Sequence, residues 1–381
     1  MEKENKKTVK ILAAASFLND FGSDIIYPVW PLFVKSLGAN MTALGFIDGL
    51  GEAIVSISQA ISGYLSDKFK KRKIFVWLGY LFGSISRIGY ALSSFWQMLI
   101  PFRILDRFGK IRGAPRDAIL ADASSDENRG RNFGFLRAMD NLGAVFGILT
   151  SIFLFKILGY KKLFLLASIP SLISVFLILS FIKDSPPKEK RKFEKLSPRA
   201  FSKNYKIFLF LSSLFALGSF SYSFLLIFAK ESGFKTSFVP VLYLIFTLSA
   251  SISAFPFGKL ADKIGRKKVI FLSFFFWLIV CLIFIFQRNF FLLLLAFILY
   301  GLHKGALEPS QKTFVSELSP LEFRASGLGF FRMITGLFAL PSSFIAGILW
   351  DKVSVFAPFY FASFLTLISM IILMFVQEKV E

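Results

Sequence analysis

The chain is nearly devoid of two residue types that build chemical sites: it has one cysteine and one histidine in 381 residues. Cys281, alone, excludes a disulfide within the chain and any cysteine-built metal site. His303, alone, leaves no paired His–Glu metal motif. A Gly-x-Ser-x-Gly elbow, a P-loop and a glycine-rich nucleotide loop are also missing, so no nucleophile constellation and no ATP-binding element can be read. Acidic residues are scarce, 24 Asp and Glu against 45 Lys and Arg, which leaves a net charge of +21. What abounds is apolar. Hydrophobic residues make up 55% and aromatic residues 17%, with 51 Phe and a mean hydropathy of +0.64. A soluble core of this length does not hide that much apolar surface.

The apolar residues fall into about twelve runs of roughly 20, the length that crosses a bilayer as a helix. The runs centre on Phe17, Val55, Leu81, Ile104, Val145, Leu172, Phe215, Phe246, Phe276, Ile298, Ile334 and Leu365. The first run is too long for a cleavable signal peptide. Basic residues gather in alternate loops: Lys3, Lys6, Lys7 and Lys10 at the start, Lys68 to Lys73 after the second run, Lys188 to Lys203 in the middle, and Lys263 to Lys268 after the eighth. Such clusters mark the cytoplasmic face, so both termini are expected in the cytoplasm and the protein in the cytoplasmic (inner) membrane. Placed at the bilayer surface, they call for no nucleic-acid partner.

A motif occurs twice. GYLSDKFKKRK begins at Gly63 and GKLADKIGRKKVI at Gly258. The same shift carries Tyr27 to Tyr222, Lys35 to Lys230, Gly38 to Gly233, Gly134 to Gly329 and Arg137 to Arg332. One offset that holds across several helices implies a duplication. The expectation is an all-α membrane protein: two six-helix bundles related by a pseudo-two-fold axis along the membrane normal. They would comprise residues 1–182 and 205–381, joined by a Pro- and Lys-rich cytoplasmic linker, 183–204. Gly45 and Gly49, Gly143 and Gly147, and Gly301 and Gly305 have the spacing of close helix contacts, read as packing.

These features resemble the major facilitator superfamily. Its repeated loop signature, Gly-x-Leu-Ala-Asp-x-x-Gly-Arg-Lys, is complete in Gly258, Leu260, Ala261, Asp262, Gly265, Arg266 and Lys267. The first copy keeps Gly63, Leu65 and Asp67 but has Ser66, and Lys70 in place of the inner Gly. The resemblance implies a cytoplasmic latch of Gly63, Asp67, Arg72, Gly258, Asp262, Gly265 and Arg266, with Asp67 pairing with Arg72 or a helix N-terminus. It further implies that the first, fourth, seventh and tenth helices line a central cavity. The fourth run, PFRILDRFGKIRGAPRDAILAD, is similar to that of a prokaryotic efflux-type subgroup in Arg103, Gly109 and Pro115, with Asp106 and Arg107 as departures. The spacing of Gly134, Gly143 and Gly147 matches part of the family's antiporter motif, although Ile148 stands where its Pro is expected.

Ionisable groups inside a bilayer are costly and mark pathways or partners. Asp20 and Asp24 share a face of the first helix. Arg103, Arg107 and Lys110 form a stripe on the fourth. Asn19, Asp20, Asp24, Arg107, Lys110, His303 and Glu308 are the candidates for proton coupling and the substrate cavity. Asp48, Glu52, Arg103, Arg137 and Asp140 are the candidates for a coupling network, with Arg87 as partner of a carboxylate on the second helix. A carboxylate beside an arginine can act as a proton-operated switch.

The function read from this is secondary active transport of a small solute by alternating access, as proton-coupled efflux (antiport), with no cofactor, no bound metal and no enzymatic activity. The partners are the solute, protons and lipid, and the protein is expected to be a monomer. Proton-coupled symport, facilitated uptake and metal or siderophore export remain open within transport. A membrane-embedded sensor or lipid-acting enzyme remains open outside it.

Overall fold

The computed structural model describes residues 2–69, 71–125, 127–184, 201–286, 289–320 and 324–378. Among the described residues every regular element is helical. In the first half these are α1 Glu2–Ile26, α2 Trp30–Ser36, α3 Met41–Phe69, α4 Lys73–Leu92, α5 Leu99–Phe108, α6 Gly113–Asp122 and α7 Arg129–Phe181. In the second they are α8 Lys203–Gly218, α9 Tyr222–Glu231, α10 Val239–Ile264, α11 Arg266–Phe286, α12 Phe290–Leu318, α13 Arg324–Leu337, α14 Ala339–Lys352 and α15 Ala357–Met374. All twelve apolar centres lie in helices.

The breaks follow from local chemistry. Pro28 has no N–H and biases Tyr27 away from the helical region, so α1 ends there. Helix α2 resumes with Pro31 in its first turn, where a missing donor costs nothing. Ser221 caps α9 by accepting from the Ser223 amide at 3.2 Å. Gly38 and Gly233, 195 positions apart, both hold a positive φ, 86° and 104°, and close α2 and α9 through amides donated to Lys35 and Lys230 at 3.0 and 3.1 Å. The duplication in the sequence thus reappears as a repeated backbone turn.

Among the described residues, nine helical stretches are long and apolar enough to cross a membrane. One of them, Arg129–Phe181, is two crossings folded at Gly159, whose φ of 64° and ψ of −176° lie outside the helix. Two further crossings are interrupted and charged: α1 with α2, and α5 with α6. Many large apolar side chains point outward, among them Phe153, Ile157, Phe255, Ile252, Phe291 and Phe364. In water such a surface would drive aggregation; in a multi-pass protein it faces lipid.

The chain forms two compact units, Met1–Gly38 with Ile54–Lys192, and Ala39–Ala53 with Phe193–Glu381. The first half of α3 belongs to the second unit because Gly45 and Gly49 lie against the Ser343 and Ala339 carbonyls. Asp351 also caps α3, accepting from the Met41 and Thr42 amides at 3.2 and 2.7 Å. Most of the expected linker, 185–200, lies outside the described residues. Just before it, Lys183 Nζ donates to Glu4 Oε1 at 2.8 Å. That contact holds the Glu4 carboxyl below, and the Lys183 ammonium above, their ordinary ranges.

The first unit has its core among Leu12, Ala13, Val76, Tyr80, Leu136 and Ile178. Gly143 and Gly147 bring α7 so close to α1 that a Cβ there would stand 2.3 and 2.4 Å from the Phe17 and Phe21 carbonyl oxygens. In the second unit Gly301 and Gly305 do the same for α12 against α10. These seams are the packing that the small-residue spacing calls for. Aromatic rings fill the second unit, with Phe215 stacked on Phe274 at 4.0 Å and Phe284 on Phe359 at 5.0 Å.

Candidate functional site

The first unit holds a ladder of charged groups. It starts at Arg87 on α4, which is 1% exposed. Its guanidinium donates to the Asn19 carbonyl at 3.2 Å and Ser23 Oγ at 2.8 Å on α1, and to the Ala167 carbonyl at 2.9 Å and Ser171 Oγ on α7. The expected partner was a carboxylate on the second helix. Instead neutral oxygens of α1 and α7 solvate the cation, and they leave most of the donor fork satisfied.

The fourth crossing carries the rest. Arg103 lies 4.4 Å from the Trp30 ring centroid. Asp106 stands between Arg103 at 4.0 Å and Arg107 at 3.8 Å, and Arg107 Nη1 donates to the Tyr27 hydroxyl at 3.3 Å. Residues Gly109–Arg112 then wind as a tighter 3-10 turn. The tighter winding rotates the phase, so the arginine series runs on through Arg112 and Arg116. Lys110, read as the third member of the stripe, is half-buried and makes no ion pair among the described residues.

Arg112 and Arg116 meet the acids of α1 and α7. Arg112 Nη2 is 4.0 Å from Asp20 Oδ1, and its guanidinium lies 5.1 Å from the Tyr80 ring centroid. Asn19 Nδ2 donates to the same Asp20 oxygen at 3.0 Å. Arg116 is held by Asp117 at 3.0 Å, donates to Ser16 Oγ at 2.5 Å and lies 3.6 Å from Asp140 Oδ1. Ser16 in turn donates to Asp140. The second Asp140 oxygen is 3.4 Å from Arg137, whose side chain is 69% exposed. Asp140 itself is 7% exposed. A buried carboxylate with one buried and one exposed arginine is a group whose charge state decides whether its neighbours stay put. Asp24, half-buried, backs onto Gly147 of α7.

Sequence reasoning placed Asn19, Asp20, Arg103, Arg107, Arg137 and Asp140 among the candidates, and these lie in the ladder. It missed Ser16, Tyr80, Arg112, Arg116 and Asp117. Arg112 and Arg116 had a signal in their four-residue spacing; Ser16 had none.

The second unit differs. His303 is fully buried. Its Nδ1 lies 2.9 Å from the Ser273 carbonyl and hydroxyl, and its ring sits among Phe215, Trp277 and Tyr300. Asp48, 2% exposed, accepts from the Ser221 and Ser223 hydroxyls at 2.7 and 2.5 Å and so secures the start of α9. Glu52 and Glu308 are exposed, and Lys304 between them is half-buried. Among the described residues no group of three or more His, Cys, Asp or Glu is arranged to hold a metal.

The repeated loops end in matched structures. Arg72 pairs with Asp122, and Asp184 accepts from the Arg72 and Lys73 amides at 3.0 and 3.2 Å. Arg266 pairs with Asp262 at 2.8 Å and Glu317 at 3.2 Å, and Glu378 accepts from the Arg266 and Lys267 amides. A carboxylate at the end of each unit thus caps that unit's third crossing, α4 or α11, a contact type that contributes about 1 kcal/mol. The surroundings of Gly63 and the side chain of Asp67 lie outside what the structure describes. Arg72 pairs with Asp122, and the expected pairing of Asp67 with Arg72 lies outside the described residues. Gly258 has no atom within 4 Å of a Cβ position, so a close helix contact does not account for glycine there.

The sequence profile of the Major Facilitator Superfamily matches residues 12–245 and 207–381. The chain is 36% identical to an uncharacterized MFS-type transporter of Methanocaldococcus jannaschii, over 98% of this chain and 96% of the relative. It is 27% identical to the multi-drug resistance efflux pump PmrA of Streptococcus pneumoniae, over 83% of this chain and 82% of the pump. Among solved structures the nucleoside transporter NupG superposes with a TM-score of 0.78 at 18% identity, covering 96% of this chain and 97% of that one. At that identity the likeness shows the fold.

Proposed function

Because the chain belongs to the Major Facilitator Superfamily, we propose that this transporter exports a small solute in exchange for protons, and that Asp140 with Arg116 and Ser16 carries the proton-dependent step. The observation that carries this reading is the buried Asp140, held by Ser16 and flanked by Arg116 and Arg137. Ionised, Asp140 fixes Arg116 and joins α1, α6 and α7. Protonated, it loses its hold on both arginines, and Arg116 is left with Asp117. A charge change of that kind biases a two-state element. Asp20 and Arg112, one turn along α1, form the second rung. Export is supported by the likeness to the pneumococcal efflux pump and by the partial antiporter spacing.

The protein acts as a monomer in the cytoplasmic membrane with both ends on the cytoplasmic side, an orientation supported by the alternate clustering of Lys and Arg. Residues 1–182 and 205–381 are its duplicated halves, joined through 183–204. In this reading the two signature loops latch the cytoplasmic side.

The test uses proteoliposomes loaded with tritiated tetraphenylphosphonium and a set of labelled organic anions and neutral solutes, with the membrane potential clamped. An imposed pH gradient is expected to speed the flux of at least one solute about tenfold, and nigericin, which dissipates the gradient, to cancel the gain. Solute flux with no response to the gradient would overturn the exchange reading.

A further inference from the structure

Helix α7 folds back at Gly159, and three lysines flank that turn: Lys156 before it, Lys161 and Lys162 after it. All three are exposed. Among the described residues none of them has a carboxylate partner. The turn lies at the end of the first unit away from the N-terminus. At the other end of the crossing that follows it, Lys7 of α1 stands 5.2 Å from the Phe181 ring centroid and Lys183 pairs with Glu4. At the turn itself the neighbours are on α2, with the Phe33 ring 5.4 Å from Tyr160 and 4.8 Å from Phe164. Trp30 of α2 in turn lies 4.8 Å from Tyr90, near the end of α4. The unit's segments at this end, 27–37, 93–98 and 155–162, contain four lysines and not one Asp or Glu.

In the orientation proposed above this is the outer face. The bias that gathers Lys and Arg in cytoplasmic loops works against lysines there, so topogenesis does not account for them. Their place on the helix surface does. Before the turn, Phe146, Phe153 and Ile157 are exposed on the apolar outer side of α7, and Lys156 follows Phe153 by three positions on that side. After the turn, Lys161, Leu165 and Ile169 follow at four-residue steps, and Leu165 and Ile169 are exposed. Two lipid-facing stripes thus end in ammonium groups at one turn. A lysine so placed lays its stem along apolar surface and carries its charge to the headgroup layer. The counter-charge in that layer is phosphate.

We propose that the Gly159 turn is a binding site for anionic phospholipid headgroups, with the Lys156, Lys161 and Lys162 ammoniums donating to phosphate oxygens. The bound headgroups fix the depth of the α7 hairpin in the bilayer. The site requires that α7 cross a membrane, and it needs neither the export direction nor proton coupling. The orientation only names the leaflet.

The test reads the lipid beside the turn in the full chain. Ile157→Cys in a Cys281→Ser background carries a bimane fluorophore, and the protein sits in nanodiscs of equal phosphatidylglycerol and phosphatidylcholine. One lipid or the other bears a quenching spin label near the headgroup end of its acyl chain. Phosphatidylglycerol is expected to be preferred about tenfold beside the turn, and the preference to shrink at high salt. Combined Lys156→Gln, Lys161→Gln and Lys162→Gln is expected to abolish it, and the three Lys→Arg changes to retain it. A second reporter, Phe176→Cys toward the other end of the same helix, is expected to be unmoved by the Gln changes. Monodisperse elution of each variant shows that it is folded. Equal quenching by the two lipids with the lysines in place, or a preference that survives all three Gln changes, would overturn the site. So would a fall at Phe176→Cys as large as that at Ile157→Cys, because the lysines would then act on the whole surface. Inorganic phosphate that shifts the bimane emission while both lipids quench equally would assign the lysines to a soluble anion and overturn it as well.

Discussion

Asp140→Asn is expected to abolish acceleration of flux by a pH gradient while flux down the solute's own gradient continues. Asparagine keeps the size of the side chain and can still accept from Ser16. It cannot ionise, so the group that alternates between holding and releasing Arg116 stays in the releasing state. Hydrogen bonds to a charged group contribute about 1.5–3 kcal/mol, which corresponds to roughly a 10- to 100-fold shift in the balance of two states. The same factor is expected in the ratio of coupled to uncoupled flux in proteoliposomes. Asp20→Asn, at the 4.0 Å contact with Arg112, is expected to lower that ratio less, because Asp20 is more exposed than Asp140. Equal gradient response in Asp140→Asn and the unaltered protein would remove Asp140 from the mechanism.

Gly143→Leu is expected to damage folding of the first unit severely. A Cβ at Gly143 would stand 2.3 Å from the Phe17 carbonyl oxygen, and its other near neighbours are also Phe17 backbone atoms. Backbone on both sides cannot swing away, so α1 and α7 would have to separate. Overpacking of that kind costs about 1–3 kcal/mol where the surroundings yield, and more where they do not. Separation would also pull Ser16 and Asn19 from Asp140 and Arg87. The same change at Gly134, on the same helix with nothing within 4 Å of a Cβ position, is expected to leave the melting temperature in detergent nearly unchanged. If the two variants melt alike, the close α1–α7 seam is wrong.

Much of the fold was legible because it is repeated. The apolar runs, the 195-residue offset and the loop signatures each rest on many residues, and the matched turns at Gly38 and Gly233 follow from a single glycine each. The candidate site was legible only by half. Asp20, Arg107 and Asp140 stand out because a charge in an apolar run is conspicuous. Their partners do not. Arg112 and Arg116 were hidden by the 3-10 turn at Gly109–Arg112, which changes the face that a uniform helix assigns. Ser16 meets Asp140 across 124 residues, a pairing that spacing cannot reveal. Arg87 was assigned a carboxylate because buried cations are usually paired with one. Carbonyls and serines do that work here, and they carry no signature in a serine-rich chain. His303 drew attention by being the only histidine, yet its environment is aromatic packing and one serine.

If Asp140 carries the proton-dependent step, proton binding there shifts the state that the protein occupies even with no solute present. Spin labels placed on each unit in a Cys281→Ser background, read by double electron–electron resonance at acid and alkaline pH, test it most directly. A distance distribution that shifts with pH is expected in the unaltered protein, and a single pH-independent distribution in Asp140→Asn. A shift of the same size in both proteins would contradict it.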